Sequence, residues 1–220
     1  MTGMVSIVQN PLSKHFCPFW YLMDRLWTDF VNSDYNDWRG GERSEDRIGK
    51  VSWQQQFLDR WQLRAPIPAS TEDEVIMRRF RDDLHSLAIR LSAGTPLTDK
   101  EKAWLNGIMQ VGGVIRQLIS KEKGLEVIHV PIHSHWTQVM AEVAADFTIT
   151  LVEGEGKRIR SCENPDCRWI FYDATRSRTQ KYCDDKMCGN LMKVRRYRAQ
   201  RKLDSNQLIA KSNRKESKLE

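Results

Sequence analysis

Four cysteines carry the most chemistry in this sequence. Cys162-Glu-Asn-Pro-Asp-Cys167 and Cys183-Asp-Asp-Lys-Met-Cys188 are separated by fifteen residues, giving C-x4-C-x15-C-x4-C. Two close pairs at that separation suit a tetrahedral site built from two chain reversals, and four thiolates with no open position suit a structural Zn²⁺ ion. Asn164-Pro165-Asp166 supplies turn chemistry between the first pair. The alternatives are two disulfides or four core thiols. A segment this short and polar cannot build an adequate core without a metal or cross-link. Zinc is therefore expected.

The spacing also dictates what positions the sulfurs. Residues five apart on a continuous helix lie about 140° apart, so Cys183 and Cys188 cannot both face one ion from mid-helix. Cys183 should precede a helix with Asp184 or Asp185 as N-cap, and Cys188 should lie in its first turn, the helix running to about Leu203. Arg168 to Tyr172 should form a hairpin arm over the metal. This module is densely basic. From 157 to 220 there are eighteen basic against eight acidic residues, +10, whereas the whole chain carries only +6, leaving −4 on residues 1–156. Such a split points to a polyanion partner for the basic part. Arg176, Arg178 and Lys181 lie on the loop between the cysteine pairs, and Lys193, Arg195, Arg196, Arg198, Arg201 and Lys202 lie on the helix. Leu191, Arg195, Arg198 and Lys202 share one stripe. Asn190 is the one polar side chain near the helix start able to pair with adenine, its competing role being a cap. The bland reading of the whole region is a solvated tail or a dock for an acidic protein.

Upstream, apolar periodicity marks helices. One runs from about Leu12 to Val31 with Phe16, Trp20, Met23, Trp27 and Phe30 on a face, and Asn32-Ser33-Asp34 ends it. Residues 36–50 read as a loop. Ser52 caps a helix from Trp53 to about Leu63. Capping boxes at Thr71–Glu74 and Thr98–Glu101 open two more. The first of these places Val75, Ile76, Phe80, Leu84, Leu87 and Leu91 on its buried side; the second continues through Ile108, Ile115, Leu118 and Ile119, weakened at Gly112-Gly113. Leu125 to Ile132 reads as a short strand, and Thr137 to Leu151 as a further helix. The tryptophans at 20, 27, 53, 61 and 104 fall on apolar faces and are assigned to the core. His129, His133 and His135 read as a polar strand edge or turn, and Cys17 as a small buried hydrophobe.

The cysteine spacing, Phe171 with Asp173, Arg176-Ser177-Arg178, Tyr182-Cys183, Cys188-Gly189-Asn190 and Lys193 to Arg198 together resemble bacterial CGNR-type zinc-finger proteins with an N-terminal ABATE domain. Trp27 to Asn32 is similar to that family's N-terminal signature. The resemblance implies a mainly α protein, a helical domain followed by the finger. With the elements read above, this gives an N-terminal helical domain over residues 1–154 with a short β segment, a small four-cysteine zinc finger (β-hairpin plus helix) over 157–205, and a basic tail over 206–220, expected to be unstructured because Lys211 to Glu220 hold no apolar periodicity. The resemblance also implies a stress-induced transcription regulator that binds duplex DNA. Its motif has arginine where this chain has Leu191, which shortens the basic face.

Exclusions follow from composition. At 220 residues, 40% hydrophobic and 29% charged, the chain suits a core-forming protein rather than a fibrous or wholly disordered one. No apolar run reaches the roughly 20 residues of a membrane span, and Met1 to Val5 lacks the start of a secretory signal. A cytoplasmic setting is expected. No open-site metal constellation or nucleophile–base pair is present, so no enzymatic activity is expected. A homodimer or protein partner is expected, because one small finger contacts few base pairs. The N-terminal domain is assigned to assembly or to sensing a small-molecule effector. The competing function is a zinc-finger adaptor that binds protein without reading DNA sequence.

Overall fold

A computed structural model of the chain describes residues 25–41, 43–121, 124–153 and 155–216. In order these form α1 (Leu26–Val31), β1 (Asp34–Asn36), β2 (Ser44–Asp46), α2 (Val51–Trp61), α3 (Thr71–Ser92), α4 (Asp99–Gln110), β3 (Val114–Lys121), β4 (Gly124–Pro131), α5 (Trp136–Val152), β5 (Ile159–Ser161), β6 (Ile170–Tyr172) and α6 (Asn190–Glu216). The strands form three separate antiparallel pairs, β1–β2, β3–β4 and β5–β6. The protein is mainly α, as expected.

α5 is the axis of the helical body. Its apolar residues run almost all round, so Trp136, Val139, Met140, Val143, Ala144 and Phe147 are buried, as a helix enclosed by neighbours requires. Trp27 of α1 meets Phe147 edge-on at 5.1 Å, and Phe30 contacts both Phe57 of α2 and Phe80 of α3. The polar groups buried beside Trp27 are matched. Asp146 accepts from the Trp27 backbone N–H, and Thr150 Oγ1 accepts from Trp27 Nε1. Arg78 and Arg81 of α3 reach Asp46 of β2. Burial alone would raise the Asp46 carboxyl, but those two guanidinium hydrogen bonds hold it below its usual range.

Several local expectations are corrected. The helix opened by the Thr98–Glu101 capping box ends at Gln110, and residues 114–121 form a strand instead. Gly112 explains the break. A Cβ there would lie 2.3 Å from the Ala141 Cβ of α5, so the chain passes too close to α5 for any side chain. α3 is capped by Ser70, whose hydroxyl accepts from the Asp73 N–H, rather than by Thr71. Its buried face is Met77, Phe80, Leu84, Leu87 and Ala88, with Val75 and Ile76 exposed. Residues 36–50 are not a plain loop, because β1 and β2 pair within and beside them. α2 starts at Val51 after Lys50, ahead of the expected Ser52 cap. α6 continues to Glu216, past Leu203 and into the tail expected to be unstructured, since neither glycine nor proline interrupts it. The part of the first expected helix before Arg25, with Phe16, Cys17, Trp20 and Met23, lies outside the described residues.

The core does not stop where the helical body does. Ile159 of β5 and Ile170 of β6 are buried in the same cluster as α1 to α5. A second, smaller cluster gathers Cys162, Cys167, Phe171, Tyr182 and Cys188, with Trp38, Trp169, Cys183 and Met192 packed against it.

Candidate metal centre and basic face

β5 and β6 bring the first cysteine pair together: the Cys162 N–H donates to the Trp169 carbonyl, and the Cys167 N–H to that of Asn164. The second pair is set as its spacing requires. Asp184 caps the turn that follows Cys183, its side chain accepting from the Met187 N–H at 2.7 Å. One turn of π-helix over Asp185–Gly189 then places Cys188 just ahead of α6. All four sulfurs lie within 4.8 Å of one another.

These sulfurs are not disulfides. Cys167 and Cys183 Sγ are 3.6 Å apart and Cys183 and Cys188 Sγ 3.8 Å, against about 2.05 Å for a bond. A tetrahedron with Zn–S bonds of about 2.3 Å puts its sulfurs about 3.8 Å apart. The cage fits that ion. Left to share protons, Cys183 is pushed far above the usual thiol range by its contacts with Cys162 and Cys167. Cys162 likewise pushes Cys167 up to about 12, and burial raises Cys188. A divalent cation inverts that order, because it binds and stabilises the thiolate form.

Beyond the sulfurs, the centre is framed by residues whose spacing gave little signal. Asn164 is fully buried; its Nδ2 reaches the Trp38 carbonyl at 2.7 Å and Cys188 Sγ at 3.4 Å. The β1–β2 segment thereby touches the centre directly. Asn32 is also buried, its side-chain amide closing both hydrogen bonds to the Ile170 backbone, at 2.8 and 3.0 Å. His85 of α3 donates to the Arg168 carbonyl, and the Arg25 guanidinium lies 4.3 Å over the Tyr172 ring. The only sequence sign of these roles was polar residues breaking otherwise apolar or turn-forming stretches.

The basic residues divide into two groups. Lys193, Arg196, Arg198, Arg201 and Lys202 are exposed along α6, and Arg176 and Arg178 are exposed on the loop. The buried Asp173 carboxylate shapes that loop, accepting from Thr175 and from the Gln180 N–H; Arg158 and Arg160 brace it by donating to the Thr175 and Arg178 carbonyls. Arg195 differs. Its guanidinium binds the Asp166 carboxylate at 2.6 Å and the Arg39 carbonyl at 2.9 Å, locking α6 to the first cysteine turn. Lys181, though exposed, sits 3.4 Å from Glu163. The stripe of Leu191 and Arg195 thus turns toward the finger, while Asn190, Lys193, Val194, Tyr197 and Arg201 point away from it. His133 and His135 stack on each other, and His135 caps α5.

A closed four-cysteine cage on a β-hairpin, followed by a basic helix and packed on a helical body, defines a zinc-finger protein with an appended helical domain. The family model described as "Putative stress-induced transcription regulator", ABATE, matches residues 24–155, and the CGNR zinc finger matches 158–201. The chain belongs to the ABATE family and carries a CGNR zinc finger with one structural zinc site. No curated protein matches it. Among the described residues, no helix is long and apolar enough to cross a membrane.

Proposed function

We propose that this protein is a non-catalytic, zinc-dependent regulator of transcription that binds duplex DNA through its finger. One observation carries the reading: the exposed cations of α6 begin directly after Cys188, so the ion that closes the cage also aims the helix. Lys193, Arg196, Arg198, Arg201 and Lys202 meet phosphates along one rod, and Arg176 and Arg178 extend the contact from the loop. Lys181 and Arg195 contribute less, since each already has a carboxylate partner. Asn190 has its amide exposed on the outward face, where an adenine edge can be read. The helical body supplies assembly or effector sensing, and the protein acts in the cytoplasm.

The deciding experiment is selection of bound duplexes from random DNA by zinc-loaded protein, followed by a salt titration. Enrichment of a common sequence is expected, with affinity falling by about 0.9 log units per log unit of salt for each phosphate contacted. Equal retention of every sequence, or binding unchanged in Cys183→Ser, overturns the reading.

A second reading is favoured by Val194 and Tyr197, which are 44 and 63% exposed and neighbours at i, i+3 on the same helix. Apolar groups in that position suit a protein groove, making the finger an adaptor. Capture of one acidic partner with no retardation of any duplex supports it.

A further inference from the structure

The β3–β4 hairpin has the wrong surface for a solvated arm. Its register pairs Leu118 with Val127, Ser120 with Leu125, Arg116 with His129 and Val114 with Pro131, so these eight side chains share one face. The opposite face carries Ile128, which is 2% exposed, the half-buried Ile119 and Val130, and Ile115, which is 53% exposed. An antiparallel pair that buries side chains on one face is ordinarily polar on the other. Here Val114, Leu118, Leu125 and Val127 are 44, 65, 71 and 55% exposed on that outer face.

We infer that this outer face is the contact between two copies of the chain. A two-stranded ribbon is at best marginal by itself in water and needs a further layer over it. The four apolar side chains expose roughly 400 Å² together, within the roughly 300–600 Å² of the largest, often functional, apolar patch on a monomer. Laying the face on its own two-fold mate, with Leu118, Val127 and Leu125 toward the tip and the Arg116–His129 pair between them and Val114, buries roughly 1,000 Å² in total, the lower bound for a specific interface. A two-fold contact uses the same patch twice and closes on itself, so it stops at a dimer. A foreign partner would need a matching apolar ribbon of its own; the second copy has one by construction. The arm lies outside the cysteine module, so the dimer leaves both basic helices free, and the inference does not rest on DNA binding.

Sedimentation equilibrium of the full, zinc-loaded chain without DNA tests it directly. A mass twice that of the chain is expected at tens of micromolar. Leu118→Glu, at an exposed position, should give the single-chain mass with zinc content and helical circular dichroism unchanged; Leu118→Met should remain dimeric. A monomeric parent protein, a species larger than a dimer, or a dimer that Leu118→Glu leaves intact overturns the assignment.

Discussion

Among the described residues, Asp146 is the carboxylate most disturbed by its surroundings. It is 7% exposed, and although it accepts from the Trp27 N–H and lies near Arg25, burial dominates and pushes it up to about 6. Its folded value therefore stands above the unfolded value of about 3.9. A carboxyl raised in this way binds more protons in the native state, so its contribution to stability falls as pH rises from about 4 to 6. The loss amounts to about 3 kcal/mol at neutral pH if the whole shift is expressed. Asp146→Asn keeps an oxygen for Trp27 and cannot ionise. Urea denaturation at pH 4.5 and pH 7 should show the variant gaining stability over the parent as pH rises, and no gain would mean the carboxyl is not strained.

Among the elements, α6 shows most clearly that charge and function are not the same thing. Arg195 and Arg198 stand three residues apart, yet one is clamped and the other exposed. Gly40 is part of the clamp: it adopts φ +85°, and a Cβ there would lie 2.9 Å from the Arg195 guanidinium and 3.0 Å from the Asp166 carboxylate. Only glycine fits such a backbone so close to an ion pair. Arg195→Ala should lower thermal stability, by about 1 to 2 kcal/mol for a half-buried charged hydrogen bond, while Arg198→Ala should leave it within about 0.5 kcal/mol. The salt slope of DNA binding should show the reverse ranking, with Arg198→Ala losing close to one phosphate contact.

Across the whole molecule, the finger and helical body share one core, since Ile159 and Ile170 are buried among α1 to α5. Asn32 is the polar rivet at that junction. Asn32→Ala strands the buried N–H and C=O of Ile170, costing about 2 to 4 kcal/mol. The zinc stoichiometry of that variant should remain one per chain, because none of the sulfurs is touched. Removing the ion acts from the other end. A strong chelator should release one zinc and lower the melting temperature of the whole chain, as the freed sulfurs lose the cage that shapes β5, β6 and the start of α6. An unchanged melting curve after zinc loss would mean that the finger contributes nothing to the body.

The sequence alone determined what depends on short spacing. Four cysteines in two close pairs specified the cage, a five-residue interval forced Cys188 to the start of a helix, and Thr98 with Glu101 specified a cap that the structure contains. Each is a local constraint, met within a few residues of chain. Periodicity failed where distant contact decided the outcome. Ile115, Leu118 and Ile119 fit a helix as well as a strand, and the close approach of Gly112 to Ala141, in another helix, selected the strand. Likewise nothing near Arg195 in the sequence announces Asp166 and the Arg39 carbonyl, twenty-nine and 156 residues away. Only the folded chain brings those groups within hydrogen-bonding distance, and only there does a cation become a clamp.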